Sequence, residues 1–296
     1  MSTHVENAAD AHLLSRPGDK YAVVDGLRMR YVERGEGPAV LFMHGASLGS
    51  SADVFLRNLE PLARAGLRAI AFDLPGYGLS DVGDDQSYAY QLNSVPKFMD
   101  ALGLKKAAFV AHSRSGSMAV QLALGEPGRY SHLVVLGNGS LLPPLGGDVE
   151  GRYDAVARRV DSQMAMTEPT LEETRKLLEA DVYNHDLITA GELALRHSRS
   201  VGKAFATFVA RSAGAEGGSG NGGQSAKPIW QRLTELKLPL LMIYGRNDRA
   251  HAFERARLLK ETYPQINLHI VDNCKHMVPW DAAHEVVRLA IPFLKT

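Results

Sequence analysis

The sequence predicts an α/β fold with a mostly parallel central sheet flanked by helices, and with a helical cap inserted into this core. Three observations support the prediction. Short apolar runs alternate with segments of helical periodicity along most of the chain. The alternation stops between residues 142 and 227, where helical periodicity alone continues. Polar residues follow several of the predicted strands, at the edge where parallel sheets place their sites.

The first part of the core spans residues 1–141 and opens with a predicted hairpin in YAVVDGLRMRYVERGEG. Its turn is Asp25-Gly26, a pair that tolerates the positive φ angles of tight hairpins. Four further strands are predicted in AVLFMHG, LRAIAFD, AAFVAHS and SHLVVLGN, and helices are predicted near VFLRNLEPLARAG, near QLNSVPKFMDALG and from residue 115 to 123.

The predicted cap spans residues 142–227 and the second part of the core spans 228–296. Apolar spacings of three and four in EPTLEETRKLLEADVYN and GELALRHSRSVGKAFATFVARS are typical of helices. The stretch AGAEGGSGNGGQSA, residues 213–226, has the composition of a flexible connector, and the sequence leaves open whether it is ordered or gates the site. The core resumes with LPLLMIYG, AFERARLLKETYP, NLHIVDN and AAHEVVRLAIPFLKT, which alternate strand and helix.

Composition excludes several classes of partner. The 33 basic residues balance 33 acidic ones, so there is no electrostatic reason to bind nucleic acid or an anionic membrane. Cys274 is the single cysteine, which rules out an intrachain disulfide or a multi-cysteine metal site. The N-terminal stretch lacks a signal-peptide core and no later stretch is long enough to span a bilayer. We expect a cytoplasmic protein that acts on a small molecule without cofactor or metal, and a homodimer stays open.

Ser113 is the candidate nucleophile. It lies where the apolar run AAFVA meets a predicted helix, in the context AHSRSG. A nucleophile elbow turns a strand sharply into a helix, so the residues two before and two after the serine must be small. Ala111 and Ser115 fill these positions in place of the usual glycines. The local sequence alone also fits a serine at an ordinary strand end.

A serine nucleophile needs a base and a residue that orients the base. Asp248 follows the strand LLMIYG, and His276 follows the strand NLHIV. The order serine, aspartate, histidine, with each residue just past a strand, is the order of an elbow-type triad. Each residue also has a simpler interpretation, Asp248 as a loop residue or the N-cap of the next helix and His276 as a loop histidine.

The turn His44-Gly45-Ala46-Ser47 follows the strand AVLFM and is a candidate oxyanion hole. The N–H groups of Ala46 and Arg114 would then point at the negative oxygen that develops during acyl transfer. The alternative is a turn that only ends a strand.

The chain resembles the α/β-hydrolase superfamily over nearly its whole length, since HGAS, FDLPGYGLSD, AHSRSG, IYGRND and CKHMVPWD occur in the family's order. Its cap and C-terminal part resemble the carbon–carbon bond hydrolases of meta-cleavage products in aromatic degradation. The similar stretches are VYNHDLITAGELALRHS, GRNDRA and CKHMVPWD.

This resemblance implies an α/β-hydrolase fold and cofactor-free hydrolysis of a vinylogous diketone. The enol substrate ketonises, its carbonyl is attacked, and the bond breaks to give a dienoate and a carboxylic acid. Ser113 is then the nucleophile, His276 moves protons and Asp248 fixes the imidazole. Arg196 matches the cap arginine that binds the substrate carboxylate, a role that suits a guanidinium. The alternative for Arg196 is an exposed helix residue.

The sequence departs from these hydrolases at three places. His112 precedes the nucleophile where Asn is frequent, Met277 follows the histidine in place of Trp, and the Asn near the end of ASLGSSADVF has no clear counterpart, with Asp53 or Val54 nearby. We assign Ser47, His112, Met277 and Trp280 to the substrate pocket, although packing roles fit the last three. A carboxylesterase or lactonase stays an alternative, as does a ligand-binding sensor that keeps the fold.

Overall fold

The computed structural model describes residues 18–146, 167–215 and 227–296. Within them, eight strands form one sheet in the order β1-β2-β4-β3-β5-β6-β7-β8. The strands are β1 Lys20–Val24, β2 Leu27–Arg34, β3 Ala39–Met43, β4 Arg68–Phe72, β5 Ala107–His112, β6 Tyr130–Leu136, β7 Leu240–Gly245 and β8 Asn267–Val271.

The sheet is mostly parallel, as the sequence predicts. Only the pairs β1–β2 and β2–β4 are antiparallel among these strands, and the other five pairs are parallel. The predicted hairpin is confirmed: Asp25 and Gly26 have φ angles of 50° and 82°, so both turn residues adopt the left-handed region that a tight hairpin requires.

The helices in the described residues are α1 Leu56–Arg64, α2 Tyr88–Ala101, α3 Arg114–Gly125, α4 Leu171–Asp181, α5 Ala190–Ser198, α6 Lys203–Ala215, α7 Ala252–Thr262, α8 Val278–Asp281 and α9 Ala283–Leu294. Short 3-10 helices cover Ala52–Phe55, Gly139–Leu141, His185–Leu187 and Ile229–Glu235. No helix in this part of the chain is both long and apolar enough to cross a membrane.

Two hydrophobic clusters cover the two faces of the sheet. Alternate residues of β3 divide between them, because Leu41 lies in one cluster and Val40 in the other. Helices α2, α3 and α7 contribute buried residues to the first cluster, and α1 and α9 to the second. Buried residues from α4 and α5 also join the second cluster, so these two helices pack on the same side of the sheet as α1 and α9.

The cap is helical where the structure describes it, but it differs from the predicted pattern at two points. The periodic segment predicted from residue 191 onward divides into α5 and α6, because Gly202 has a φ of 58° between them. The connector expected from residue 213 begins later, since α6 continues to Ala215. Most of that connector, residues 216–226, lies outside the described residues, as do residues 147–166 of the predicted cap.

A buried group of charges connects the cap to the core. Arg30 is 0% exposed, and its Nη2 donates to Asp53 at 2.6 Å and to Asp19 at 2.7 Å. Arg199, which directly follows α5, donates from Nε to the other oxygen of Asp53 at 3.3 Å. A buried arginine without a carboxylate is costly, so Asp53 holds the end of α5 against the core.

The cap also contacts the histidine loop, defined here as residues 274–277. The carboxylate of Asp281 accepts hydrogen bonds from the backbone N–H groups of residues 183 and 184 and from that of Lys275, at 2.8, 3.1 and 3.0 Å. The N–H of Met277 donates to the last carbonyl of α4 at 2.9 Å, and Lys275 Nζ donates to another carbonyl of α4 at 2.8 Å. Both sides of the loop are therefore bonded to the cap.

Candidate active site

Ser113 lies at a sharp turn between β5 and α3. Its φ and ψ angles are 53° and −132°, a conformation that non-glycine residues rarely adopt and that is typically held at functional sites. The surroundings leave little room: a Cβ on Gly45 would lie 3.0 Å from the Cβ of Ser113, and one on Gly116 would lie 3.0 Å from Asn138 Nδ2. Small neighbours therefore allow the strained turn, which directs Oγ out of the strand.

The structure brings Ser113, Asp248 and His276 together. His276 Nε2 lies 3.0 Å from Ser113 Oγ, and its Nδ1 lies 3.1 and 3.2 Å from the two carboxylate oxygens of Asp248. Because Nδ1–H donates to the carboxylate, Nε2 is left as the acceptor that can take a proton from the serine. The interpretation of Asp248 as a helix N-cap is wrong, because His251 occupies that position of α7.

The two N–H groups proposed for the oxyanion hole belong to Arg114, which follows Ser113, and to Ala46, which follows Gly45, a residue that approaches Ser113 closely. Arg114 is the first residue of α3, where an N–H has no acceptor inside the helix. Neither this N–H nor that of Ala46 donates a hydrogen bond elsewhere in the described chain. The side chain of Arg114 points to the α2 side, where Nη2 donates to Gln91 Oε1 at 2.5 Å and to Tyr77 Oη at 3.1 Å.

Hydrogen bonds of His44 hold this turn in place. Its Nδ1 donates to the carbonyl of Gly45 at 2.7 Å, and its Nε2 accepts from the N–H of Leu74 at 3.1 Å. Ser115 Oγ donates to the carbonyl of His44 at 2.5 Å. Burial lowers the pKa of His44 to about 3, so the ring stays neutral and keeps both hydrogen bonds near neutral pH.

His112 lies next to His276. Its Nε2 donates to the backbone carbonyl of His276 at 2.9 Å, and the two rings are 5.1 Å apart. Burial, and secondarily the charge of His276, lowers the pKa of His112 well below its ordinary value. The sequence assigned His112 to the substrate pocket. Its Nε2 atom instead bonds to the histidine loop.

These depressed pKa values predict acid sensitivity. An unfolded histidine titrates near 6.5, whereas native His44 and His112 stay neutral to much lower pH, so the unfolded chain binds more protons below 6.5. Their contribution to stability is present above pH 6.5 and is lost as the pH falls toward the native pKa values. The free energy of unfolding should drop by up to about 1.4 kcal/mol per pH unit for each histidine.

Denaturant unfolding of the wild type and of His112→Gln between pH 6.5 and 5 measures this effect. The glutamine amide reaches about as far as Nε2, so it can still donate to the carbonyl of His276 but cannot titrate. We expect a shallower loss of stability in the variant, and identical pH slopes would contradict the assignment.

Arg196 and Trp280 line a small cleft between the cap and the core, together with Gly49, Ser51, Asp53, Val54, Glu192, Leu195 and Arg199. In the described chain, no carboxylate lies within ion-pair distance of the Arg196 guanidinium, and burial lowers its pKa to about 10. Its charge contributes to the lowered pKa values of His44 and His112, which places it on the catalytic side of the cap. It is therefore a half-buried cation suited to an external anion.

The other residues assigned to the pocket are packed to different degrees. Trp280 is 7% exposed and donates from Nε1 to the carbonyl of Val54 at 3.1 Å. Met277 is 3% exposed within the second hydrophobic cluster. Ser47 is half-buried, and its carbonyl accepts from the N–H of Ser50 at 3.0 Å.

The sequence analysis missed Asn138. This residue follows β6 directly, and its Nδ2 donates to the carbonyl of Ser113 and to Ser117 Oγ, at 2.5 and 3.1 Å. Tyr244 Oη donates to the carbonyl of Asn138 at 2.8 Å. In the sequence, Asn138 could have been recognised as a polar residue that follows a strand at the same sheet edge as the triad. Its hydrogen bonds hold the elbow in place.

The chain is similar to known proteins over most of its length. A family model described as alpha/beta hydrolase fold matches residues 38–283. A 2-hydroxy-6-oxononadienedioate/2-hydroxy-6-oxononatrienedioate hydrolase of Burkholderia vietnamiensis is 30% identical over 92% of this chain and 93% of its own length.

Two further proteins are similar over most of their length. A 2-hydroxy-6-oxo-6-phenylhexa-2,4-dienoate hydrolase of Comamonas testosteroni is 29% identical over 90% of this chain and 91% of its own. The solved structure of a meta-cleavage product hydrolase from Pseudomonas fluorescens matches with a TM-score of 0.73 and 24% identity, covering 93% of this chain and 97% of the other.

Proposed function

Because this chain belongs to the α/β-hydrolase family, we propose that its site performs cofactor-free hydrolysis of a carbon–carbon bond in a 2-hydroxy-6-oxo-dienoate. The observation that carries the proposal is the serine–histidine–aspartate arrangement beneath a cap that presents Arg196. The hydrolases of Burkholderia and Comamonas, whose names specify such dienoates, support the bond class.

In the proposed reaction, the enol first ketonises at C5, which makes the bond between C5 and C6 cleavable. Ser113 Oγ attacks the C6 carbonyl while His276 Nε2 takes its proton. The negative oxygen of the tetrahedral intermediate accepts hydrogen bonds from the N–H groups of Ala46 and Arg114. Collapse breaks the C5–C6 bond, the electron pair moves through the conjugated system to the C2 oxygen, and that oxygen takes up the proton from His276 to give the 2-hydroxydienoate. Water, deprotonated by His276, then releases the carboxylic acid from Ser113.

Arg196 fits the C1 carboxylate of such a substrate. A half-buried guanidinium without a carboxylate in ion-pair distance gains a charge-assisted, bidentate hydrogen bond when a carboxylate enters. Trp280 provides an apolar wall of the same cleft. The ion pair between Arg196 and the C1 carboxylate fixes which end of the dienoate lies near the cap. It thereby sets the distance of C6 from Ser113.

Turnover of a 2-hydroxy-6-oxo-dienoate tests the proposal. Loss of the visible dienolate absorbance follows either ketonisation or cleavage, so the released carboxylic acid must be quantified as well. Arg196→Ala should lower kcat/KM by about 10- to 100-fold, because a charge-assisted hydrogen bond of this kind stabilises by roughly 1.5–3 kcal/mol.

Lys176→Ala is the matched control, since it removes an exposed positive charge from cap helix α4. We expect this variant to keep wild-type kcat/KM. Equal losses in both variants would show that the net charge of the cap, and not a clamp at Arg196, accounts for the effect.

Ester or lactone hydrolysis is the second candidate, favoured by His112 and Met277 at positions where the resembled hydrolases carry other residues. An aryl acetate run beside the dienoate distinguishes the two. Rapid turnover of the ester alone, indifferent to Arg196→Ala, would replace carbon–carbon cleavage by esterase or lactonase activity. For either reaction we propose a cytoplasmic location, which suits a buried, unmodified thiol at Cys274.

A further inference from the structure

The two N–H groups of the candidate oxyanion hole belong to peptide groups whose carbonyls each accept a side-chain hydrogen bond. A trans peptide group is planar, so its C=O and N–H bonds point in nearly opposite directions. The carbonyl of Gly45 shares its peptide group with the N–H of Ala46, and His44 Nδ1 donates to it at 2.7 Å. A hydrogen bond to the carbonyl therefore also fixes the direction of the N–H on the other side of the group.

Asn138 makes the equivalent bond to the other peptide group. The carbonyl of Ser113 shares this group with the N–H of Arg114, and Asn138 Nδ2 donates to the carbonyl at 2.5 Å. The same carbonyl accepts from the N–H of Gly116 at 2.9 Å, in the first turn of α3. Two donors therefore hold this peptide group, although Ser113 has a strained φ of 53°.

The neighbours of Asn138 determine which end of its amide faces Ser113. The backbone N–H of Leu141 can only donate, and it lies 3.0 Å from Oδ1. Oδ1 is therefore the acceptor, and Nδ2 is the atom that meets the carbonyl of Ser113. Nδ2 also donates to Ser117 Oγ at 3.1 Å, and Tyr244 Oη donates to the backbone carbonyl of Asn138 at 2.8 Å. The amide thus has one orientation, with the donor toward the elbow.

The end of β6 also lies against the other two residues of the triad. Gly137 has a φ of 58°, and a Cβ at this position would lie 3.4 Å from the carbonyl of His276 and 3.5 Å from Asp248 Oδ2. Because Asn138 directly follows Gly137, its place relative to the whole triad is fixed by this close contact.

We propose that Asn138 is a positioning residue for the oxyanion hole, whose amide aims the N–H of Arg114 at the negative oxygen and polarises the peptide group that carries it. A donor bound to a carbonyl draws electron density from the peptide group, which makes the N–H of that group a stronger donor. The gain is largest when the substrate oxygen is negative, so it lowers the barrier more than it strengthens binding of the substrate. This inference rests on one part of the proposed function, attack by Ser113, which both candidate reactions share.

Asn138→Ala should lower kcat by about 10- to 100-fold and leave KM nearly unchanged, with acid release from a 2-hydroxy-6-oxo-dienoate as the measurement. The loss should stay below the roughly 100- to 1,000-fold cost of removing an oxyanion donor, because the N–H of Arg114 remains and is only less well aimed. Asn138→Ser is the second variant, since its short hydroxyl leaves room for a water in place of the amide and preserves a polar site. Thermal unfolding midpoints verify that both variants fold.

Phenylboronic acid measures the oxyanion hole without any bond being cleaved. Ser113 Oγ adds to boron, its proton passes to His276, and boron becomes a tetrahedral anion that resembles the intermediate. In Asn138→Ala, the inhibition constant of the boronic acid should rise by about the same factor as kcat falls. An unchanged inhibition constant would contradict a role in the hole.

Ser117→Ala is the matched control, because it removes the other acceptor of Asn138 Nδ2 and leaves the bond to the carbonyl of Ser113 in place. Its kcat and inhibition constant should stay near those of the wild type. The inference is overturned if Ser117→Ala and Asn138→Ala lose kcat equally, which would make packing of the elbow the cause, or if Asn138→Ala raises KM at constant kcat. Failure of carbon–carbon cleavage has a different signature, because the wild type then releases no acid from the dienoate while the boronic acid still binds Ser113.

Discussion

Replacement of Ser113 by alanine should leave a folded protein that hydrolyses its substrate at least about a thousandfold more slowly. The Oγ atom lies 3.0 Å from His276 Nε2, and no other side chain in the described residues replaces it as a nucleophile at that position. Alanine keeps the Cβ that the elbow already accommodates, so the strain of the turn is unchanged. Acid release measures the loss, and the thermal unfolding midpoint confirms the fold.

Ser140→Ala provides the comparison, because this exposed serine lies a short distance beyond β6 and has no place in the mechanism. Its turnover should equal that of the wild type. A Ser113→Ala enzyme that still releases acid at the wild-type rate would refute nucleophilic catalysis by this serine.

The second large effect is expected for Asp248→Asn, with a loss of about 10⁴-fold in kcat. An amide has nearly the shape of the carboxylate, but its NH₂ group can turn toward His276 Nδ1. The imidazole then carries its proton on Nε2, the nitrogen that must accept the proton of Ser113. The substitution changes the position of a proton with little change in packing. We therefore expect a large loss of kcat with only a small change in the free energy of unfolding.

Asp272→Asn tests whether the loss is specific. This carboxylate lies in a neighbouring loop, is exposed and pairs with Arg246. We expect its kcat to remain near that of the wild type. A loss below about tenfold in Asp248→Asn would show that Asp248 does not orient the imidazole.

Local patterns predicted the fold well because they reflect local causes. The strand runs and the Asp25-Gly26 turn depend on residues adjacent in sequence, and the structure has a mostly parallel sheet with this hairpin at its start. The position of Ser113, Asp248 and His276 past strand ends also follows from the chain itself. Parallel strands share one carboxyl edge, so this pattern predicts proximity, and the structure places the three side chains in contact.

The remaining features depend on pairs that are distant in sequence. Nothing near Arg199 indicates that it bonds to Asp53, and nothing near Arg211 indicates that it stacks on Tyr77. The strand order has the same origin, because β4 lies between β2 and β3 only after the chain crosses over. Such contacts are set by the packing of whole elements. Short sequence motifs do not describe such contacts.

The hydrogen bonds between α4 and the histidine loop have a consequence for engineering. Asp281, Lys275 and Met277 belong to the core by sequence, yet their partners lie in the cap. In a chimera that takes residues 142–227 from a relative, the loop around His276 would therefore face the carbonyl and N–H groups of a different cap. Transplanting specificity between members of this family requires the cap and residues 274–281 to be exchanged as one unit, although more than forty residues separate them in the chain.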